Sequence, residues 1–279
     1  MSRASSSLLL LSVLTVLSVP AAARAEELPV AELAKKVGPS IARLGMFTGG
    51  EQQGNGTGFF IREDGIAVTN HHVIEHADGD EFIAVLADGT RRTVLGILAD
   101  DPEHDIAIIR VEGKGFPALE FAASGSVTVG APAYLIGSSS GLDQSLGVGV
   151  VSAIRDGLPQ EFIDDAKRVG RTAPKGPIVQ HTATSAAGSS GSPVLNGKGE
   201  VIAVHHSGLV RDPIYFAAHV DLLRALIART DLNAKPAPLG PDRKLNLIIS
   251  GAFFAALTIA GGVWALVRRR REDDEFRLG

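Results

Sequence analysis

The chain has 279 residues, a formal net charge of −4 and no cysteine. A balance so near neutral, with no basic stripe outside one arginine cluster near the end, speaks against a nucleic-acid partner. Without cysteine there is no disulfide framework, so an exported domain of this composition must hold itself together by packing.

Arg3 precedes an apolar run at 8–19, then Pro20 and a small-residue stretch ending Ala23-Arg24-Ala25. That pattern of charged, apolar and A-x-A regions predicts a signal peptide over 1–25 and a mature start at Glu26. Residues 29–37 read as a short amphipathic helix with Val30, Leu33 and Val37 on one face. A strand is expected at 40–46, and the glycine-rich 49–56 as an exposed loop.

Two strands, 58–61 and 66–69, then flank Glu63-Asp64-Gly65, and Asp-Gly between apolar runs is a hairpin signal. Residues 70–76 follow as one or two turns of helix. Strands are expected at 82–86, 93–99 and 105–111, a spacing that suits a closed barrel. After a connection at 117–130 comes a second set: 133–136, 146–154, 178–182, 193–195, 201–205 and 215–220. The polar stretch 155–175 reads as the longest loop. Asp221 is placed to cap a last helix at 222–228.

Residues 234–241, rich in proline, read as a semi-rigid spacer that does not pack. Residues 245–267 carry no charge and have the length of a bilayer span. Arg268-Arg269-Arg270-Arg271 follow at once, which orients the short tail 268–279 to the cytoplasm and the globular part outward. Gly251 and Ala255 give the span small-xxx-small spacing.

Three side chains of nucleophilic chemistry stand at strand ends in this order: His72, Asp105 and Ser190. A serine nucleophile needs a base, a carboxylate to orient that base, and amides to receive an oxyanion. Gly188-Ser189-Ser190-Gly191-Ser192-Pro193 is a tight turn able to bring N–H groups to a ligand. Alone it reads equally as a Ser/Gly surface loop.

Gly56-Thr57-Gly58-Phe59-Phe60-Ile61, Thr69-Asn70-His71-His72-Val73-Ile74, Asp105-Ile106-Ala107-Ile108-Ile109-Arg110-Val111 and the Ser190 turn together resemble the trypsin-like serine peptidases, the bacterial Deg/HtrA branch in particular. The resemblance covers about 29–228. It implies an all-β, chymotrypsin-like fold of two six-stranded antiparallel β-barrels with a short C-terminal helix, here joined to a single transmembrane helix. The expected organisation is a protease domain at 26–231, with barrels at about 38–116 and 124–220 and a final helix at 221–229. A linker at 232–244 leads to the span.

Carried over by position, the resemblance makes His72 the base, Asp105 the orienting carboxylate and Ser190 the nucleophile, with the Gly188 and Ser190 amides as oxyanion hole. His71 then reads as an exposed neighbour, and Asp100 and Asp101 as turn residues. Ser189 stands where the family often has Asn or Asp, and Ser192, its hydroxyl expected to face the pocket, where it often has Gly. The family usually carries PDZ modules after the protease; here only the spacer separates the last helix from the apolar run.

For the primary pocket, Ser207 and Gly208 continue the strand at 201–205 beside His206, and Ser185 and His205 match a hydroxyl and a histidine that glutamyl endopeptidases use for acidic side chains. A charged imidazole beside a substrate carboxylate is the physical basis. The alternative is a histidine simply packed in the second barrel. His72-Val73-Ile74-Glu75-His76 also fits the H-x-x-E-H zinc motif, but that chemistry needs a long helix, and Ala77-Asp78-Gly79-Asp80 ends this one.

The expectation is a membrane-anchored endopeptidase of the bacterial inner membrane, facing the periplasm and acting on polypeptides without metal or cofactor. Self-association is left open. The alternative is a catalytically inactive protease-fold module that binds peptides or partner proteins.

Overall fold

A computed structural model describes residues 27–75, 81–139, 142–168, 173–208 and 213–239. The expected signal peptide, transmembrane span, cytoplasmic tail and His76 lie outside these residues. Among the described residues no helix is long and apolar enough to cross a membrane.

The chain opens with α1 (Val30–Val37) and a 3-10 turn at Gly38–Ser40. Six strands follow: β1 (Ile41–Thr48), β2 (Glu51–Phe60), β3 (Ile66–Thr69), β4 (Glu81–Val85), β5 (Arg91–Asp101) and β6 (Ile106–Val111). A short helix, α2 (His71–Ile74), sits between β3 and β4. All neighbours pair antiparallel, and the strands close in the order β1-β2-β3-β6-β5-β4.

The second half repeats the plan with β7 (Pro132–Ser139), β8 (Leu142–Gly157), β9 (Lys175–His181), β10 (Pro193–Leu195), β11 (Val201–Gly208) and β12 (Tyr215–His219). They close as β10-β11-β12-β9-β8-β7. Helix α3 (Gln160–Arg168) lies between β8 and β9, and α4 (Val220–Ala228) follows β12.

The period-two alternation of a strand divides the apolar residues between layers. On β6, Ile106 and Ile108 face a layer shared by both barrels, while Ala107, Ile109 and Val111 fill the first barrel's interior. Phe59 and Phe60 divide the same way, and Phe60 stacks on Phe116 at 4.1 Å. The shared layer also takes Leu33 and Val37 of α1, Tyr134, Ile136 and Val204 of the second barrel, and Leu223 and Leu226 of α4. Both helices therefore act as clamps over the seam between barrels. Burying each such Leu, Ile or Phe contributes about 1.5–3 kcal/mol.

Four local expectations are corrected. The glycine-rich stretch is not a free loop: Gly54 and Gly56 pair with Met46 and Leu44 inside β2. The long polar stretch contains α3, whose partly buried Phe162 meets Phe216 edge-on at 4.8 Å, so one aromatic contact ties a mostly charged segment to the second barrel. Helix α4 is capped by His219, which accepts from Asp221 N–H at 3.2 Å, rather than by Asp221. The spacer does pack. Ala237 and Ile97 exchange both backbone hydrogen bonds at 2.8 and 2.9 Å, and Leu239 packs against the first barrel's core. Arg110 reinforces this return by donating to the Leu232 carbonyl at 2.8 Å. Proline forbids helix here, but an extended strand needs only alternate N–H groups.

Candidate active site

β3 ends at Thr69, and Asn70 turns the chain into α2 with extended backbone (φ −86°, ψ 153°). That turn sets His72 opposite the start of β6. Asp105 stands there with φ +55°, in the left-handed region that Asp tolerates better than most residues. Asn70 Nδ2 holds the Asp105 carbonyl at 2.7 Å and so supports this backbone.

The carboxylate meets His72 twice. Asp105 Oδ2 lies 2.7 Å from His72 Nδ1, and Oδ1 accepts from the His72 backbone N–H at 2.9 Å. Burial alone would raise the Asp105 pKa. The charge and hydrogen bonds of His72 outweigh it and hold the carboxyl below its ordinary value.

Asp100 and Asp101 do not compete for this role, because each has its own histidine. His71 Nδ1 lies 2.6 Å from Asp100, and its Nε2 lies 3.7 Å from Glu75. Burial works against charge on His71, but Asp100 prevails and its pKa is raised. His104 Nδ1 lies 2.9 Å from Asp101, which also pairs with Arg229 beyond α4. Burial opposes ionisation of Asp101, yet His104 and Arg229 together bring its pKa below the ordinary value.

The Ser190 turn is fastened to the first barrel through Thr57. Thr57 N–H donates to the Ser190 carbonyl at 2.8 Å, and its hydroxyl donates to the Gly188 carbonyl at 2.9 Å. The same oxygen accepts from Ser138 N–H at 3.0 Å, and the Thr57 carbonyl accepts from Thr69 Oγ1 at 2.7 Å. Thr57 is fully buried and ties β2, β3, β7 and the Ser190 turn together. Its hub role was not read from the sequence; a lone threonine between two glycines was the available signal.

Gly191 has φ +85°, and a Cβ there would run into the Thr57 carbonyl, Thr69 and Asn70. This close approach brings the Ser190 turn against the β3 end that carries His72. Gly188 has φ +94°, and a Cβ would lie 2.7 Å from the Ser138 carbonyl and 2.9 Å from Asn55 Nδ2. Gly191 N–H reaches the His205 carbonyl and His205 N–H reaches the Ser192 carbonyl, both at 2.9 Å, fixing the turn to β11. Ser192 is fully buried, and a Cβ added at Gly137 on β7 would collide with its hydroxyl. It therefore faces β7 and not the pocket.

Ser185 and His205 do come together, Oγ to Nε2 at 2.9 Å. His205 Nδ1 is in turn 3.3 Å from His181 Nε2, forming a row that the sequence did not disclose. Tyr215 stacks on His181 at 5.6 Å, and a Cβ added at Gly208 would strike its ring. Burial drives the His205 pKa well below its ordinary value and that of His181 down to about 3. A 3% exposed ring resists charge by desolvation, which fits the alternative of a histidine packed in the second barrel. Ser207 and Gly208 are exposed along the β11 edge, while His206 beside them is buried.

The family profile for the trypsin-like peptidase domain matches residues 56–204. The chain is 35% identical over 169 residues to a probable periplasmic serine endoprotease, DegP-like, of Ectopseudomonas mendocina (strain ymp), covering 60% of this chain and 32% of that protein. A DegP-like counterpart in Chlamydia muridarum (strain MoPn / Nigg) is 37% identical over 150 residues, covering 54% and 27%. The chain thus spans about a third of the length of the curated relatives it matches.

Among solved structures, Deg5 superposes with a TM-score of 0.56 at 26% identity, over 70% of this chain and 90% of that one. The HtrA-type protease AlgW with a tripeptide gives 0.60 at 24% identity, over 71% and 62%, and bears on the fold alone. Two closed six-stranded barrels, a His–Asp pair and a serine turn fastened to the same barrel, and a family profile spanning more than half the sequence agree: the chain belongs to the trypsin-like peptidase family, homologous to the HtrA/DegP serine endoproteases.

Proposed function

We propose that the chain is a serine endopeptidase acting on exported polypeptides. His72 takes the proton of Ser190 Oγ as it attacks the scissile carbonyl. Asp105 holds the imidazole in the tautomer with Nδ1–H and stabilises the imidazolium that forms. The Gly188 and Ser190 amides receive the oxyanion. As the intermediate collapses, the scissile C–N bond breaks and His72 gives its proton to the leaving amine; water that His72 activates then releases the acyl-enzyme. The observation that carries this reading is the two-point grip of Asp105 on His72, beside a serine turn that Thr57 fastens to the same barrel.

The reading extends to the pocket. With the protons of the His181–His205–Ser185 row directed outward, the Ser185 hydroxyl donates to a substrate carboxylate, favouring cleavage after Glu or Asp. The further proposal is that residues 1–25 direct export and 245–267 anchor the domain in the inner membrane, facing the periplasm.

Fluorophosphonate labelling of the full chain, followed by peptide-library digestion, tests the proposal. The expected result is one adduct, at Ser190, lost in Ser190→Ala together with all turnover. No adduct in folded protein would point instead to a peptide-binding module. Cuts confined to small aliphatic residues would overturn the acidic preference alone.

A further inference from the structure

β5 and β6 make their last pair at Asp101 and Ile106, and residues 102–105 form the turn that presents Asp105. Asp105 takes φ +55° there. A left-handed residue other than glycine persists only where its surroundings over-determine it. Asn70 fixes the far side of this residue through its carbonyl. The near side is held by Asp101, whose side chain is only 6% exposed. Its Oδ1 and its carbonyl share the His104 backbone N–H, both at 3.3 Å, and its Oδ2 lies 2.9 Å from His104 Nδ1. The turn is therefore wound around one carboxylate.

That carboxylate has a second partner from far along the chain. Arg229 Nη2 pairs with Asp101 Oδ2. Arg229 is the first residue after α4, and its N–H bonds the Leu226 carbonyl at 3.3 Å. Leu223 and Leu226 are buried in the seam between the barrels, so the guanidinium starts from a fixed point. The residues that follow stay on the same hairpin. The Leu232 carbonyl accepts from Arg110 of β6 at 2.8 Å, and Ala237 pairs with Ile97 of β5. The segment 229–237 thus braces both strands that carry Asp105 between them.

We propose that Arg229 is a positioning residue: by gripping Asp101 it fixes the turn that sets Asp105 against His72. An arginine keeps its charge at every working pH, so it is the permanent counter-ion of a carboxylate that water hardly reaches. Without that counter-ion the enclosed anion is drawn toward solvent, and the His104 N–H it holds goes with it. Asp105 is the next residue. Relaxing its φ toward the extended region swings its side chain and opens the 2.7 and 2.9 Å contacts with His72. A shift of about 1 Å at such a pair is enough to slow turnover. The last helix of the second barrel thereby sets the geometry of a pair that belongs wholly to the first.

The inference rests on the serine-peptidase reading, and the test separates the two. The full chain, Arg229→Met, Arg229→Lys and Ser190→Ala are titrated to completion with a fluorophosphonate. Taking kcat and KM per labelled site removes any misfolded fraction. Proton NMR follows the low-field signal of the His72 Nδ1–H shared with Asp105. Methionine keeps an apolar stem and removes the charge. It should lower kcat and labelling rate together by about 3- to 10-fold at unchanged KM, between the values for an exposed and a buried charged contact. It should also shift or broaden the low-field signal. The contact is made through Nη2, which an ammonium can copy, so lysine should restore kcat to within about twofold. Unchanged kcat per site and an unmoved low-field signal in Arg229→Met would overturn the proposal, as would equal losses in both variants. If the unsubstituted chain fails to label at Ser190, the serine-peptidase reading falls, and the proton signal still decides whether Arg229 holds His72 and Asp105 together.

Discussion

Asp105→Asn isolates the orienting function. The native carboxylate accepts from two donors on one residue, His72 N–H at 2.9 Å and Nδ1 at 2.7 Å. An asparagine offers one acceptor and one donor to the same two points. If its oxygen keeps the backbone N–H, its NH2 faces Nδ1 and forces that nitrogen to be bare. The proton then sits on Nε2, and His72 cannot act as base toward Ser190. If the amide flips, NH2 opposes a backbone N–H and leaves a buried donor unpaired, which costs about 1–3 kcal/mol. The inactive tautomer is therefore preferred by that margin. Loss of the charge that stabilises imidazolium removes a further 1.5–3 kcal/mol or so. Together these predict a fall in kcat of about 10²–10⁴-fold with KM little changed, reaching toward the loss the triad template gives for this exchange. Initial rates on a peptide substrate, normalised to folded protein by urea titration, measure it. Activity within tenfold of the parent would refute the role given to Asp105.

Thr57→Val keeps the shape of the hub but removes its hydroxyl. Ser138 N–H and the Gly188 carbonyl would both lose a partner in a buried site, so a loss of about 2–5 kcal/mol is expected from urea midpoints, with slower fluorophosphonate labelling. A midpoint equivalent to less than 0.5 kcal/mol, by the usual span of neutral changes, would contradict the hub.

Acid should destabilise the domain early. His181, His205 and His206 all have folded pKa values below the unfolded value of about 6.5, so below that pH the unfolded chain binds protons that the native state refuses. Their contribution is fully present above pH 6.5 and is lost as pH falls toward about 4 for His206 and about 3 for His181. Each such group contributes a slope of about 1.4 kcal/mol per pH unit. The depressed Asp101 and Asp105 add their losses only below about pH 4, their unfolded value. Stability measured from pH 7 to 4 should therefore fall steeply, and His206→Leu should flatten the curve.

The barrels were legible because each strand states its own faces. Ile106 to Val111 alternates between two layers, and Asp-Gly at 64–65 marks a hairpin without tertiary help. His72 and Asp105 were legible because both sit where a strand ends. The rest depended on partners distant in sequence. Nothing near His181 announces that it meets His205 across the second barrel, and nothing in the run of Asp100, Asp101 and Asp105 shows that each has a separate histidine. Composition also misled where pairing decides: Gly54 and Gly56 are loop residues by propensity, but β1 supplies their hydrogen bonds. How deeply His205 is buried was equally hidden, because burial is a property of the packed molecule.

The return of the chain onto the first barrel sets a leash length. Residues up to Leu239 are docked, through Ile97 and the core beneath Leu239, and the apolar run begins at Leu245. Fully extended, the six steps from Leu239 to Leu245 reach about 20–22 Å. Under the anchoring proposed above, the domain would work within a thin shell above the bilayer. Tension on the tether would be borne first by the two backbone hydrogen bonds between Ile97 and Ala237, loaded together, before it reached α4 or the seam between the barrels.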